Sequence, residues 1–494
     1  MNARQLLMPF FEGEELPEIS VTRLTEQSQL ADAGTLFVCI RGAVADGHQY
    51  AADAYARGCR LFLAEYDPKL PDDATVLLTD STRRMLGLLA ARFWGEPSRR
   101  MRVIGVTGTK GKTTVATLLA SLSNRAGIPC GYIGTNGITY ADVFRPTKNS
   151  TPDAVTLQST LAEMLERGVH TAVLEVSSQA LVQHRVEGMH FDTVLFTNFS
   201  PDHIGPTEHR DLEDYLQAKL RLFRNFDAQN AIVFADDPQA ERFLSVSHAA
   251  RKLACTAGSE SLYAIGHVER TLLNGAPGIA FDLFLNGERH AVTLPLLGEV
   301  NAQNALLAAT VAHAVLGIDA ATVAKSLSHV RVAGRSESLS LPNGATVLID
   351  YAHNAVSLQA LLSALREYAP ARLTVLFGSV GGRTQLRRAE LGAIAARLAD
   401  FVILTSDNPA REDPNAILSA IVEGFGESQT PYRAIPDRRE AILYALERTL
   451  PGEFLVLAGK GHETYQLIGD CRVPFSERAI VEEFLSKQST VMQQ

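Results

Sequence analysis

Cysteine is scarce in this 494-residue chain. Cys39, Cys59, Cys130, Cys255 and Cys471 are odd in number and far apart, and no two have C-x-x-C spacing. That excludes a disulfide framework and reads as reduced packing residues of a cytoplasmic protein. A basic tail or stripe is also lacking, and a net charge of −9 argues against nucleic acid as a partner. No apolar run approaches the ~18 residues a membrane span needs. Met1–Glu14 contains acidic residues and has no charged-then-apolar leader pattern, so no leader is expected. Internal repeats and low-complexity tracts are missing too, which excludes solenoids and disordered arrays.

What is present is the composition of a globular protein, 46% apolar and 20% charged. The length is too great for one hydrophobic core and predicts about three domains. In the first part, Thr35–Ile40, Cys59–Ala64 and Ala74–Leu78 read as strands and Tyr50–Arg57 as a helix. A helix over Thr82–Trp94 ends at Gly95-Glu96-Pro97. The middle third offers buried strands at Ala172–Val176, Thr193–Thr197 and Ala231–Phe234. A hairpin is expected within Phe281–Thr293 around Asn286-Gly287, then a helix over Asn301–Val315. Val330–Arg335 reads as a hinge. The fold class is therefore α/β.

The most informative stretch is Arg102–Thr114, R-V-I-G-V-T-G-T-K-G-K-T-T. A short apolar strand (Val103, Ile104, Val106) runs into a Gly/Thr turn. A helix opens at Lys112 and continues through Val115, Leu118, Leu119 and Leu122 to Gly127-Ile128-Pro129. Gly108 and Gly111 let backbone N–H groups approach phosphate oxygens, beside a helix N-terminus. Lys112 can reach terminal phosphates, and the Thr113 hydroxyl can sit on Mg²⁺. Five residues rather than four separate Gly105 from Gly111, so the spacing departs from the common P-loop.

Glu175 lies within an expected buried strand, which is costly unless it is paired or near a cation. It implies either a Mg²⁺ site with the phosphate loop or a salt bridge to an arginine. His203 follows another strand and can be a second metal ligand, although isolated histidines are more often structural. On the helix Leu212–Phe223, pattern alone makes Lys219 a snorkelling surface lysine. In the last third, four strands (Val347–Ile349, Leu373–Phe377, Phe401–Leu404 and Phe454–Leu457) each run into a polar or glycine-rich loop. In an open parallel sheet these loops share the ligand-binding edge.

The ordered motifs Gly108–Thr114, Glu175–Ser178, Asp202-His203, Tyr215–Lys219, Asp350–His353, Asp407–Pro409 and Gly459–Glu463 resemble those of the Mur ligases, ATP-dependent amide-forming enzymes of peptidoglycan precursor synthesis. The resemblance covers nearly the whole chain. It is greatest to the branch that adds a diamino acid to UDP-N-acetylmuramoyl-L-alanyl-D-glutamate. It implies a UDP-sugar-binding domain over 1–81, a P-loop ATPase domain with a mostly parallel sheet over 82–332, and a Rossmann-like amino-acid-binding domain over 333–494. ATP is the implied co-substrate, with two Mg²⁺ ions held by Thr113, Glu175, His203 and Lys219, the last as a carbamate. Lys112, Lys219, His203 and Glu175 are the implied catalytic groups.

By the same resemblance, the nucleotide contacts are Gly108, Thr109, Lys110, Gly111, Lys112, Thr113, Thr114, Asn301, Arg335 and Asp350. The UDP-muramoyl dipeptide falls to Ser28, Ala43, Val44, Ala45, Asn149, Ser150, Thr151, Ser177, Gln183 and Arg185. The amino acid falls to Arg383, Asp407, Asn408, Pro409, Ala410, Gly459 and Glu463. The partners implied are small molecules only, and a monomer is expected. An acyl-phosphate on the glutamate side chain, attacked by the incoming amine after domain closure, is the implied chemistry.

The chain departs from the family pattern in several places. Gln27-Ser28-Gln29 replaces Asp-Ser-Arg, His353 is followed by Asn354-Ala355 with no proline, and Val380–Thr384 replaces Gly-Gly-Asp-Arg-Asp. Ala410 stands where enzymes adding meso-diaminopimelate carry an Arg for the distal carboxylate, with Arg411 next. That predicts a lysine-like amino acid whose distal ammonium meets Asp407 and Glu463, with meso-diaminopimelate as the alternative. A cyanophycin-type synthetase, a folylpolyglutamate synthase and a non-catalytic paralogue are the other readings.

Overall fold

The computed structural model describes residues 1–42, 45–202, 204–205, 208–258, 261–382 and 385–492. The chain divides into two compact units, Met1–Thr256 with Thr310–Ile318, and Ala257–Ala309 with Asp319–Gln494.

The first unit contains two sheets. Strands Arg23–Thr25, Thr35–Val38, Leu61–Ala64 and Thr75–Leu78 pair in sequence order, all parallel. Helix Thr82–Phe93 packs on this small sheet through Leu86, Leu89 and Ala90, opened by the Ser81 side chain accepting from Arg84 N. In the larger sheet Arg102–Thr107 lies between Thr193–Phe196 and Thr171–Glu175, parallel to both. Asn230–Phe234 extends it on one side, Cys130–Gly134 on the other. These strands are near-continuous apolar runs because helices cover both faces. Helix Lys112–Arg125 buries Val115, Leu118, Leu119 and Leu122, and helix Leu212–Arg224 buries Leu216, Leu220 and Phe223.

The second unit carries an antiparallel meander and a mostly parallel sheet. Ala276–Leu285 and Glu288–Leu294 form the hairpin around Asn286-Gly287, with both turn residues at positive φ as a tight hairpin demands. The sheet runs Glu337–Ser340, Thr346–Asp350, Phe454–Ala458, Leu373–Phe377, Phe401–Leu404, Tyr432–Ala434. Only its first pair is antiparallel. The carboxyl ends of its four central strands therefore share one edge, as the four polar loops implied.

Elements shift by a few residues from expectation. The helix expected over Tyr50–Arg57 splits into a 3-10 turn, Gly47–Tyr50, and an α-helix, Ala51–Ala56. The helix expected from Asn301 starts at Glu299. Cys39, Cys59, Cys130 and Cys255 are buried and free as expected, whereas Cys471 is exposed. Among the described residues no helix is long and apolar enough to cross a membrane.

Candidate active site

Strand Arg102–Thr107 delivers the chain into the phosphate loop, and helix Lys112–Arg125 takes it away. Gly108 has φ +145°, and a Cβ there would meet Thr197 Oγ1 at 1.9 Å; Gly111 has φ +85° at the helix N-cap. Only glycine suits both positions. The loop is pinned from the end of the next strand. Thr109 N donates to Asn198 O (2.8 Å), Lys110 N to Asn198 Oδ1 (3.0 Å), and Thr197 Oγ1 to Lys110 O (2.6 Å). Lys112 Nζ folds back onto Gly108 O (2.9 Å) and Thr109 O (3.1 Å). Thr114 is buried behind it.

Glu175 is fully buried, and hydroxyl and amide donors rather than an arginine satisfy it. Oε1 accepts from Tyr132 Oη (2.6 Å) and Thr135 N (2.9 Å); Oε2 accepts from Thr113 Oγ1 (3.0 Å) and Thr135 Oγ1 (3.1 Å). The salt-bridge alternative is thereby corrected. The Thr113 hydroxyl and the Glu175 carboxylate meet at the start of the phosphate-loop helix, a pair of hard oxygen donors. Among the described residues no three His, Cys, Asp or Glu side chains group as a metal cage. That donor set fits Mg²⁺, which prefers one or two protein oxygens, waters and phosphate oxygens to an all-protein cage. His203 lies outside the described residues.

Lys219 is not a surface lysine. It is 1% exposed, its Nζ donating to Gly108 O (2.7 Å) and lying 4.4 Å from the Tyr215 ring centre. The helix turns its apolar face inward, and Lys219 lies on that face between Tyr215, Leu216, Leu220 and Phe223. Burial, and then the charge of Lys112, hold its ammonium well below the ordinary lysine range, against the pull of Asp202. Such an amine is available unprotonated, the form that can react with CO₂ to give a carbamate.

Also in the first unit is a cavity of about 580 Å³ lined by Arg83, Arg145, Lys148 and Arg185 together with Glu26 and Asp153. Asn149 and Gln183 line it as well. Arg185 donates to Thr151 O (2.8 Å) and Gln183 Oε1 (2.8 Å). Thr151 Oγ1 in turn bonds Glu175 O (2.8 Å) and accepts from Ser177 N (3.0 Å). Ser150 is half-buried beside Asn149. The cavity is thus joined to the Glu175 strand through Thr151. Burial raises the Glu26 carboxyl, helped by Asp153; burial and then Arg83 lower the Arg185 guanidinium. Ser28 is buried on a 3-10 turn outside the lining, while its neighbours Glu26 and Gln27 are within it. Ala45 O accepts from Gly42 N (2.9 Å). Ala43 and Val44 are outside the described residues.

In the second unit Asp350 ends its strand with Oδ2 accepting from Ser336 N (2.7 Å) and Oδ1 from Ala352 N (2.8 Å). Burial raises its carboxyl, opposed by nearby Arg335. Arg335 also faces the Tyr351 ring at 5.4 Å. Asn301 Nδ2 donates to Leu297 O (2.8 Å), just before its helix, and its Oδ1 accepts from Asn304 Nδ2 (3.0 Å) on the helix, not from these two.

The loops after Phe401–Leu404 and Phe454–Ala458 meet. Asn408 Nδ2 donates to Glu463 Oε2 (3.1 Å), and fully buried Lys460 donates to Glu463 Oε2 (2.7 Å) and Asn408 Oδ1 (3.1 Å). Asp407 Oδ1 lies 3.7 Å from the same ammonium. A Cβ on Gly459 would come within 3.0 Å of Asp407 Oδ2. The glycine loop is stitched on by Gly381 N donating to Asn408 O (2.9 Å) and Gly382 N to Glu412 Oε2 (2.9 Å), one residue before Arg383, which is outside the described residues. After Pro409, Ala410 adopts φ +52°, its N donating to Leu467 O (2.9 Å).

Sequence reasoning missed Tyr132 and Thr135, since C-G-Y-I-G carries two glycines and does not read as a strand. It missed the cavity cations Arg83, Arg145 and Lys148, because Arg83 lies some sixty residues before the other two and nothing local links them. Lys460 sits inside the Gly459–Glu463 motif and Asn198 directly follows the expected strand Thr193–Thr197, so their positions were legible although their roles were not.

Residues 106–312 match the Mur ligase middle domain, and 334–461 the Mur ligase glutamate ligase domain. The UDP-N-acetylmuramoyl-L-alanyl-D-glutamate--2,6-diaminopimelate ligase of Caldanaerobacter subterraneus subsp. tengcongensis is 35% identical over 471 residues, covering 95% of this chain and 96% of the relative. The enzyme of the same name from Chlorobaculum tepidum is 38% identical, covering 94% and 92%. A solved structure of a ligase of that name superposes with a TM-score of 0.73 at 28% identity over 99% of both chains.

Proposed function

The chain belongs to the Mur ligase family, and from that premise we propose that it is a cytoplasmic ATP-dependent ligase joining 2,6-diaminopimelate to the D-glutamate of UDP-N-acetylmuramoyl-L-alanyl-D-glutamate. The observation that carries this reading is the meeting of Lys112, Thr113, Glu175 and the buried Lys219 around one phosphate loop. We read the three functional domains as 1–81, 82–332 and 333–494.

A carboxylate resists attack by an amine, so the acid must first be activated. An oxygen of the glutamate side-chain carboxylate attacks the γ-phosphorus of ATP, the bond to the β-phosphate oxygen breaks, and ADP leaves. Lys112 can exchange the carbonyls of Gly108 and Thr109 for the charge on the transferring phosphoryl group. Thr113, Glu175, His203 and carbamylated Lys219 would hold Mg²⁺, which supplies further neutralisation of phosphate charge. The cavity cations, Arg185 foremost, suit a ligand bearing a diphosphate and carboxylates. Asp407, Asn408 and Glu463 suit an ammonium of the incoming amino acid. Its neutral second amine attacks the acyl carbon, phosphate departs, and the nitrogen loses a proton to leave the amide.

The lysine-like substrate read from Ala410 is corrected by the relatives, which are named for 2,6-diaminopimelate. Ala410 brings no guanidinium, and Arg411 is exposed and paired with Asp470. Phosphate release and product mass, measured with UDP-muramoyl dipeptide and either meso-diaminopimelate or lysine, test the reading. Turnover preferring diaminopimelate is expected. A strong preference for lysine restores the earlier expectation, and no release with any amino acid overturns the ligase assignment.

A further inference from the structure

The least explained charge in the second unit is Lys460. It is fully buried, yet its three neighbours are the polar groups assigned to the incoming amino acid: Glu463 Oε2 at 2.7 Å, Asn408 Oδ1 at 3.1 Å and Asp407 Oδ1 at 3.7 Å. A buried ammonium is retained only where partners repay its lost hydration. Here it also fixes geometry. Asn408 Oδ1 is shared between Lys460 and Leu467 N (2.9 Å), which turns the amide so that Nδ2 faces Glu463. Behind the cluster, Arg438 and Glu477 pair at 2.7 Å with both side chains buried. Arg438 donates to Ser406 O (3.1 Å) and Ala458 O (2.8 Å), anchoring the two loops that carry Asp407 and Lys460. Because that rear pair is neutral overall, the charge offered to a ligand comes from Asp407, Glu463 and Lys460.

We propose that Lys460 is a positioning and specificity-determining residue for the amino acid: its buried ammonium cancels one of two carboxylates and orients Asn408, so the pocket accepts a distal group carrying both an ammonium and a carboxylate. This rests on the ligase reading above. Two carboxylates alone would favour a bare ammonium, as on lysine, and would repel the distal carboxylate of diaminopimelate. With Lys460 between them one negative charge remains, enough for the ammonium and small enough for the neighbouring carboxylate. Lys460 thereby compensates for the alanine at position 410.

The test measures steady-state kinetics on the full chain with Lys460→Met, using ATP, UDP-muramoyl dipeptide and either meso-diaminopimelate or lysine. The KM for diaminopimelate should rise at least ~10-fold, as expected when one partner of a buried charge pair is removed. The KM values for ATP and the nucleotide substrate should stay within about 2-fold, because neither is assigned to this cluster. The ratio of kcat/KM for diaminopimelate over lysine should fall. A residue with only a structural role would depress both amino acids alike and leave that ratio unchanged, which overturns the proposal. Asn408→Asp makes the same one-unit change of charge with Lys460 in place, and should move the ratio in the same direction. If circular dichroism shows Lys460→Met unfolded, Asn408→Asp decides alone. Wild-type protein inactive with every amino acid refutes the ligase reading, whereas active wild type with an unchanged ratio in both variants refutes only the role of Lys460.

Discussion

Lys112 and Lys219 donate to the same carbonyl oxygen, that of Gly108, at 2.9 and 2.7 Å. Two ammonium groups on one acceptor repel, and that repulsion adds to burial in driving Lys219 toward its neutral form. Replacing Lys112 with alanine should therefore do two things. Phosphate release should fall at least 100-fold, since a charge assigned to the transferring phosphoryl group is lost. The chain should remain folded, because Lys112 is only partly buried. Retained product formation would sink the assigned role. A second residue-scale effect concerns His462, whose imidazole is pushed down to about 4 by burial and then by Arg335. Its folded-state value lies below the unfolded one. As pH falls below 6.5 the unfolded chain gains a proton that the folded chain refuses, so stability drops between pH 6.5 and 4. The loss from this group is on the order of 2 kcal/mol at pH 5. His462→Gln should show a smaller decline in urea midpoint from pH 7 to pH 5 than wild type; an equal decline contradicts the assignment.

At the scale of elements, the phosphate loop owes its shape to the strand beside it as well as to its own glycines. Asn198 binds both sides of Lys110, accepting from its N (3.0 Å) and donating to its carbonyl (3.0 Å). Asn198→Ala should raise the KM for ATP by roughly 10-fold through lost preorganisation while leaving the circular dichroism spectrum intact. An unchanged KM would mean that the loop holds itself. The strand–loop–helix unit was legible because apolar period, glycine turn and helix pattern agree locally. So was the Asn286-Gly287 hairpin, whose turn chemistry is self-contained. Cys130–Gly134 was not, although Tyr132 at its centre bonds Glu175, because its glycines answer to side chains distant in sequence, Gly131 to Met164 and Gly134 to Glu175. A Cβ on Gly134 would come within 2.2 Å of Glu175 Oε1. A constraint imposed across the sheet leaves no periodic trace in the strand that obeys it.

For the whole molecule, what could be read divides along the same line. Motifs that carry their chemistry in consecutive residues, such as Gly108–Thr114 and Gly459–Glu463, declared their place on a sheet edge. Groups whose meaning depends on burial did not: by pattern Lys219 is a surface lysine, and only its resemblance or its packing reveals otherwise. The cavity cations are the extreme case, since Arg83, Arg145, Lys148 and Arg185 meet only through folding. Their shared role can be read from melting of the chain. A ligand that binds only the folded protein at one hundred times its Kd adds about 2.7 kcal/mol, or roughly 5–10 °C for a unit the size of the first. UDP-muramoyl dipeptide and ATP should each produce such a shift in wild type, one through the cavity and the other through the phosphate loop. Arg185→Ala should abolish most of the first shift, because it removes a cavity cation and the tie to Thr151. The second should survive, since neither Lys112 nor Thr113 bonds Arg185. Loss of both shifts would mean that the substitution unfolds the shared sheet, and retention of both would remove the cavity from the account of substrate binding.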